Sequence, residues 1–158
     1  MIKFRRAVFD VMIPFNVVAA LWVWVGRGLF GATLGWISLL MLVFIVPVLV
    51  VALIASTALA FSQPGRPVRL SSAQAIAQAT FWLIMLILGV VIVDVDDQSR
   101  EESILINILG WSPELLGISL ELEKVLAFSA VACWLVLVGL LAWDRVSKQP
   151  YSDATGLP

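Results

Sequence analysis

The sequence predicts an all-α integral membrane protein with four transmembrane helices, and three observations support that fold class. Of the 158 residues, 61% are hydrophobic and only 13% are charged, whereas soluble domains are about half apolar and a quarter charged. Four segments are long and apolar enough to cross roughly 30 Å of hydrocarbon as helices. The segments between and beyond them hold almost all of the charged residues. We therefore treat the chain, residues 1–158, as a single membrane domain.

The limits of the four predicted spans follow from hydropathy and from helix-start and helix-breaking residues. The spans are placed at about 7–25, 36–61, 74–93 and 125–143. The first resembles a signal peptide, but large residues from Trp22 to Val25 stand where a cleavage site needs small ones, so we predict that it is retained. Pro47 removes one helical hydrogen bond and predicts a kink in the second span. Ser71 and Gln74 form a capping-box pattern that predicts the start of the third.

The 94–124 segment between spans three and four is too long for a plain turn. A second capping-box pattern begins at Ser99 and predicts a short helix over 100–109. Ser112 can cap a further helix whose first residue is Pro113, a favoured position for proline. We therefore predict an acidic, partly helical outer segment that leads into the fourth span.

The distribution of basic residues predicts the orientation of the chain. Lys and Arg concentrate in short cytoplasmic loops. If the N-terminus is inside, seven basic residues are cytoplasmic and three are outside: Lys3, Arg5, Arg6, Arg66, Arg69, Arg145 and Lys148 against Arg27, Arg100 and Lys124. This bias predicts that both termini are cytoplasmic. Together with the compact loops, it favours a multi-pass protein of a bacterial plasma membrane.

The acidic stretch that follows the third span is the main candidate for a functional surface. Six residues form the predicted partner-docking site: Asp94, Asp96, Asp97, Glu101, Glu102 and Trp111. A calcium site is the alternative, but the stretch lacks the turn glycine of an EF-hand, and Leu105 stands where that loop needs a glutamate. We therefore interpret the acids as a solvated outer face that can meet a basic partner. The segment could equally lie on the membrane or pack over the helices as a lid.

Uncharged polar residues within the spans are the second group of candidates. Charged side chains usually mark ion and substrate paths through membranes, yet the spans hold them only at their edges. Four residues are candidate intramembrane polar contacts: Asn16, Gln74, Gln78 and Ser129. Hydrogen bonds between helices are the predicted role. A polar substrate pocket is the alternative.

The composition argues against several classes of function. The chain contains no histidine and one cysteine, Cys133, so it offers neither an internal disulfide nor a Cys/His set for zinc or haem. No base accompanies a serine or cysteine nucleophile in the spans, so we expect no enzymatic activity, no cofactor and no metal. A net charge of −1 argues against a nucleic-acid partner.

These observations favour an accessory or assembly subunit of a larger membrane complex. Its expected partners are membrane lipids and either that complex or further copies of the chain. The alternative is an oligomeric small transporter or channel, with Asn16, Gln74 and Gln78 lining its pathway.

Overall fold

A computed structural model describes residues 1–32, 34–63, 70–97 and 101–148, with the backbone alone for Lys148. Four helices in it are long and apolar enough to cross a membrane, as predicted. We call them spans one to four; they cover Met12–Phe30, Trp36–Phe61, Ser72–Val91 and Pro113–Ser147. The second has the predicted limits, while the fourth begins well before the predicted residue.

The described elements follow one another along the chain as helices with one small β-ribbon. Helix α1 (Ile2–Asp10) precedes span one, which comprises α2 (Met12–Val25) and a 3-10 turn (Gly26–Phe30). Span two comprises α3 (Trp36–Leu40), a π-turn (Met41–Ile45) and α4 (Val46–Phe61). Then come α5 (Ser72–Val91), β1 (Asp94–Val95), β2 (Glu101–Glu102), α6 (Ile104–Leu109) and α7 (Pro113–Lys148).

The distortion that Pro47 predicts in span two takes the form of the π-turn. The Val46 N–H donates to the Met41 carbonyl, five residues back instead of four. Pro47 has no N–H to continue the α-helical pattern. Proline and π-turns are both recognised causes of helix distortion, and here the π-turn ends just before Pro47.

Helix α5 forms the centre of the bundle and packs against both α2 and α7. In its most apolar stretch of 18 residues, half of the residues are buried inside the bundle, whereas the corresponding share is 17% in spans two and four. The predicted capping box at its start is confirmed. The Ser71 hydroxyl accepts from the Gln74 N–H at 3.2 Å, and the Gln74 side-chain oxygen accepts from the Ser71 N–H at 2.8 Å. The core combines Phe81 and Met85 of α5 with side chains of the helices around it, among them Met12, Ala19, Leu137 and Leu141.

The first part of the segment after span three forms a β-ribbon, where the sequence predicted a helix. The predicted helix over 100–109 is wrong there, because Glu101 and Glu102 pair with β1 as an antiparallel ribbon, in which Asp94 lies opposite Glu102. The helix begins only at Ile104, where the Ser103 hydroxyl accepts from the Ile106 N–H at 3.1 Å. The predicted cap at Ser99 lies outside the described residues. The cap at Ser112 is confirmed, because its hydroxyl accepts from the Leu115 N–H at 3.1 Å.

Candidate functional site

Asp94 caps the first turn of span two, although it lies 56 to 59 residues further along the chain than the residues that it caps. Its carboxylate accepts from the backbone N–H groups of Gly35 at 2.9 Å, Ile37 at 2.8 Å and Ser38 at 3.0 Å. These amides lie at a helix start, where no carbonyl of the same helix can reach them. The side chain is fully buried, at 0% exposure. The interpretation of Asp94 as part of a solvated face is therefore wrong.

Arg27 supplies the opposite charge to Asp94. Its Nη2 lies 2.8 Å from Asp94 Oδ2, and the arginine side chain is only 1% exposed. The Ser38 hydroxyl donates to the same carboxylate oxygen at 2.6 Å and accepts from Arg27. These three residues, which we call the Arg27–Asp94 cluster, join the end of span one, the start of span two and the residues after span three.

The surroundings of Asp94 keep its carboxyl group ionised. Burial alone would raise its pKa, since a low-dielectric site disfavours charge. The hydrogen bond from Ser38, the positive charge of Arg27 and the amides of Val95 and Ile37 act in the other direction and outweigh it. The net result is a pKa below the ordinary value for aspartate.

Gly35 lets β1 approach the start of span two closely enough for this cap. A Cβ atom at Gly35 would lie only 2.0 Å from the Val95 carbonyl oxygen, far inside van der Waals contact. Any larger residue would push β1 and its neighbour Asp94 away from α3. The sequence does not reveal this contact, because the strand that Gly35 faces lies some 60 residues further on.

Glu123 of α7 adds a second acid beside the cluster. Its carboxylate accepts from the Val93 N–H at 3.3 Å and lies near enough to Arg27 for an electrostatic attraction. It therefore connects α7 to the segment that carries Asp94. The predicted docking site did not include this residue.

The other predicted docking residues lie at the same end of the bundle, nearer the surface. Asp97 and Trp111 are exposed, whereas Asp96, Glu101 and Glu102 are half-buried. The Asp97 carboxylate accepts from the Trp36 indole N–H at 2.9 Å. Within the described ranges, no three acidic, histidine or cysteine side chains are placed to share a metal ion.

An exposed apolar surface accompanies these acids. Beyond the buried Ile104 and Ile106, helix α6 exposes Ile108 to 69%, and Trp111 after it is exposed to 62%. The first turns of α7 add further large apolar side chains. We define the apolar tip as Ile108, Leu109, Trp111, Ile118 and Leu122, all of which are exposed.

Asn16 is the centre of a hydrogen-bond network between three helices. Its amide nitrogen donates to the Thr57 hydroxyl of α4 at 3.0 Å. Its carbonyl oxygen accepts from two side chains of α5, the Trp82 indole at 2.7 Å and the Gln78 amide at 3.3 Å. We call these four residues the Asn16 network. The part played by Trp82 could not be predicted, since an indole in a span usually packs against apolar side chains or lipid.

Gln74 and Ser129, the other two polar candidates, differ in their hydrogen bonds. Gln74 connects α5 to α7, whereas Ser129 bonds within its own helix. The Gln74 amide donates to the Leu140 carbonyl at 3.1 Å and to the Asp144 carboxylate at 3.2 Å, both on α7. The Ser129 hydroxyl donates to the Val125 carbonyl of its own helix at 2.7 Å, and Ser129 is half-buried. The hydrogen bond described for Ser129 therefore lies within α7, and the expected bond from this side chain to a neighbouring helix is not seen among the described residues.

No protein-family model, curated protein or solved structure matches the chain. Only the geometry of the chain itself therefore indicates what it does. The structure divides the sequence candidates into two kinds. Asp94 and the Asn16 network hold helices together inside the bundle, while the apolar tip and the acids near it form an accessible surface.

Proposed function

We propose that the protein is an accessory subunit that docks onto a larger membrane complex through the apolar tip and the acids beside it. The observation that carries the proposal is the length of α7. Its 36 residues extend about 54 Å at 1.5 Å per residue, whereas the hydrocarbon core is about 30 Å thick.

The surplus length lies mainly at the end that bears the tip. If span four enters the hydrocarbon at Val125, as hydropathy predicts, Pro113 to Lys124 extend about 18 Å beyond it. One headgroup layer accounts for only about 5 to 8 Å of that distance. The apolar tip would then face water, where exposed apolar surface usually marks a site for a protein partner.

The base of the tip is well anchored, which favours a docking surface over a loose loop. Ile104 and Ile106 on the inner side of α6 are buried, and the β-ribbon joins the same segment to the Arg27–Asp94 cluster. A preorganised surface loses less conformational entropy on binding. The neighbouring acids favour a partner with a basic surface, since complementary charge raises the rate and specificity of association.

The positions of the polar side chains in the spans do not favour the transporter alternative. Asn16, Gln74 and Gln78 are buried between helices of their own chain and bond to one another or to α7. They therefore do not lie on a face that neighbouring subunits of an oligomer could share.

Site-specific photo-crosslinking tests the proposal. A photoreactive residue would replace Trp111 in the tip or, as a matched control, Trp143, which is 74% exposed near the other end of α7. We expect position 111 to crosslink a foreign membrane protein that co-purifies in stoichiometric amount, and position 143 not to crosslink it. Trp111→Ala should weaken that co-purification, and Trp143→Ala should leave it unchanged.

Two results would contradict the accessory role. One is a chain that purifies alone or as a homo-oligomer from mild detergent, with crosslinks from position 111 only to lipid or to other copies. The second is a foreign partner whose recovery is the same in wild type and in Trp111→Ala.

A further inference from the structure

Two nitrogen atoms of the buried Arg27 side chain are left unpaired by the rest of the described chain. The Nη2 atom pairs with Asp94 and donates to Ser38, but neither Nε nor Nη1 donates a hydrogen bond to any described residue. Arg27 is only 1% exposed, so bulk solvent and lipid headgroups do not reach these donors from outside. A buried N–H without a partner destabilises the folded state, most of all on a charged group.

Helix α7 contributes two polar residues that share one of its faces. Glu123 is near enough to Arg27 for an electrostatic attraction, although the direct ion pair of Arg27 among the described residues is with Asp94. Ser119 lies one turn before Glu123, on the same side of the helix. It is 0% exposed, and its hydroxyl has no hydrogen-bond partner in the described ranges. The junction of span one with α7 therefore holds buried polar atoms that the protein itself does not pair.

The charges at this junction select a neutral occupant. Asp94 and Glu123 both attract Arg27, so an anion bound beside Arg27 would add a third negative charge against one cation. A metal cation is disfavoured because the unpaired N–H groups of Arg27 are donors and cannot act as ligands. These donors need an acceptor, and the Glu123 carboxylate needs a donor. Water supplies both and is small enough to be enclosed.

We propose that ordered water is bound at this junction, where it accepts from Nε or Nη1 of Arg27, donates to the Glu123 carboxylate and has the Ser119 hydroxyl as a further partner. Buried waters typically make about three hydrogen bonds to polar groups that would otherwise be unpaired. The water joins α7 to the Arg27–Asp94 cluster without a direct ion pair. The proposal does not depend on the docking function, because it concerns buried groups and not the exposed tip.

Nuclear magnetic resonance of the full chain in detergent micelles tests the proposal. Arginine and tryptophan would be isotopically labelled, and nuclear Overhauser effects from water to side-chain N–H groups would be recorded in the laboratory and rotating frames. We expect a cross peak from water to the Arg27 Nε–H with opposite signs in the two frames, as for water held in place. Loss of this peak in Arg27→Lys identifies it. The buried Trp82 indole, which donates to Asn16, should give no such peak.

Matched variants show whether the bound water reaches α7. Glu123→Met keeps the length of the side chain but removes its acceptor oxygens, so the Arg27 cross peak should weaken several-fold. Glu121→Met changes an exposed acid of the same helix that pairs with Lys124, and it should leave the peak unchanged. Ser119→Ala, which removes one hydroxyl, should also weaken the peak, and it carries this comparison if Glu123→Met does not fold.

Four outcomes would overturn the proposal. Absence of the cross peak in the wild type would show that the Arg27 donors are dry. The same sign in both frames, as expected for the exposed Arg6, would show exchange with bulk water. A saturable shift of the Arg27 resonance with sodium phosphate, and none with sodium chloride at equal ionic strength, would show an anion site. An unchanged peak in both Glu123→Met and Ser119→Ala would show that the water does not reach α7.

Discussion

At the scale of single residues, Asp94 is the side chain whose loss should matter most in the part of the chain that the structure describes, because it accepts several buried hydrogen bonds and pairs with Arg27. Asp94→Asn removes the charge that balances the buried Arg27, and breaking one partner of a buried ion pair costs about 3–5 kcal/mol. We expect the free energy of unfolding to fall by that amount, measured by denaturation in mixed micelles.

Asp97→Asn is the matched control for that substitution. Asp97 makes an exposed hydrogen bond to Trp36, so its loss should cost no more than about 1 kcal/mol. Equal effects of the two substitutions would mean that the Arg27–Asp94 pair contributes no more than a surface contact.

Because the folded state lowers the pKa of Asp94, the same residue predicts a pH dependence. Its contribution to stability is complete above the pKa of the unfolded chain, about 3.9, and is lost as the pH falls through the lower pKa of the folded state. We expect the free energy of unfolding of the wild type to decline below about pH 4. In Asp94→Asn that part of the decline should be missing. Parallel titrations of the two proteins measure the difference, and identical slopes would refute it.

Gly35 provides a steric test of the same region. Gly35→Ala places a Cβ against the Val95 carbonyl, and such overpacking typically costs about 1–3 kcal/mol. Gly117→Ala serves as the control, since nothing lies near a Cβ at this helical position and a Gly→Ala change there should stabilise by about 0.5–1 kcal/mol. Unfolding measurements should therefore give opposite signs, and a neutral Gly35→Ala would show that β1 can move away without cost.

At the scale of secondary-structure elements, the Asn16 network links α2, α4 and α5. Asn16→Leu leaves Thr57, Gln78 and Trp82 without their bonds to Asn16, whereas Thr57→Val removes one bond. Interhelical hydrogen bonds are worth roughly 0.6–2 kcal/mol each. We therefore expect Asn16→Leu to lower the free energy of unfolding by about two to three times as much as Thr57→Val does. Unfolding of both variants in micelles measures the ratio, and equal costs would show that the network is not shared among the helices.

The sequence predicts the helices of this fold better than it predicts their connections. Length and hydropathy determine where a helix can cross a membrane, and caps such as Ser71 and Ser112 act on residues three positions away. The sequence near Asp94 does not show that it is buried while Asp96 and Asp97 are not. The residues that bury Asp94 belong to spans one and two, far from it along the chain. The β-ribbon was missed for a related reason. Two strands of two residues each are too short to show a period.

At the scale of the whole molecule, the orientation stays a prediction. In a Cys133→Ala background we expect Asn107→Cys to react with an impermeant thiol reagent added to intact cells, and Ile2→Cys and Ser147→Cys to react only after lysis. All three native side chains are exposed in the structure, so differences in labelling report the side of the membrane. The reverse pattern would place the termini outside and move the acids to the cytoplasm.

The cap that Asp94 provides to span two is synthesised later than the residues that it caps. Translation delivers Arg27 and the amides of residues 35–38 well before it delivers Asp94, whose carboxylate binds them. During synthesis the first two spans therefore precede their own cap, and the counter-charge of Arg27 has not yet been made. Emergence of the third span brings the missing carboxylate and fixes the two spans in place.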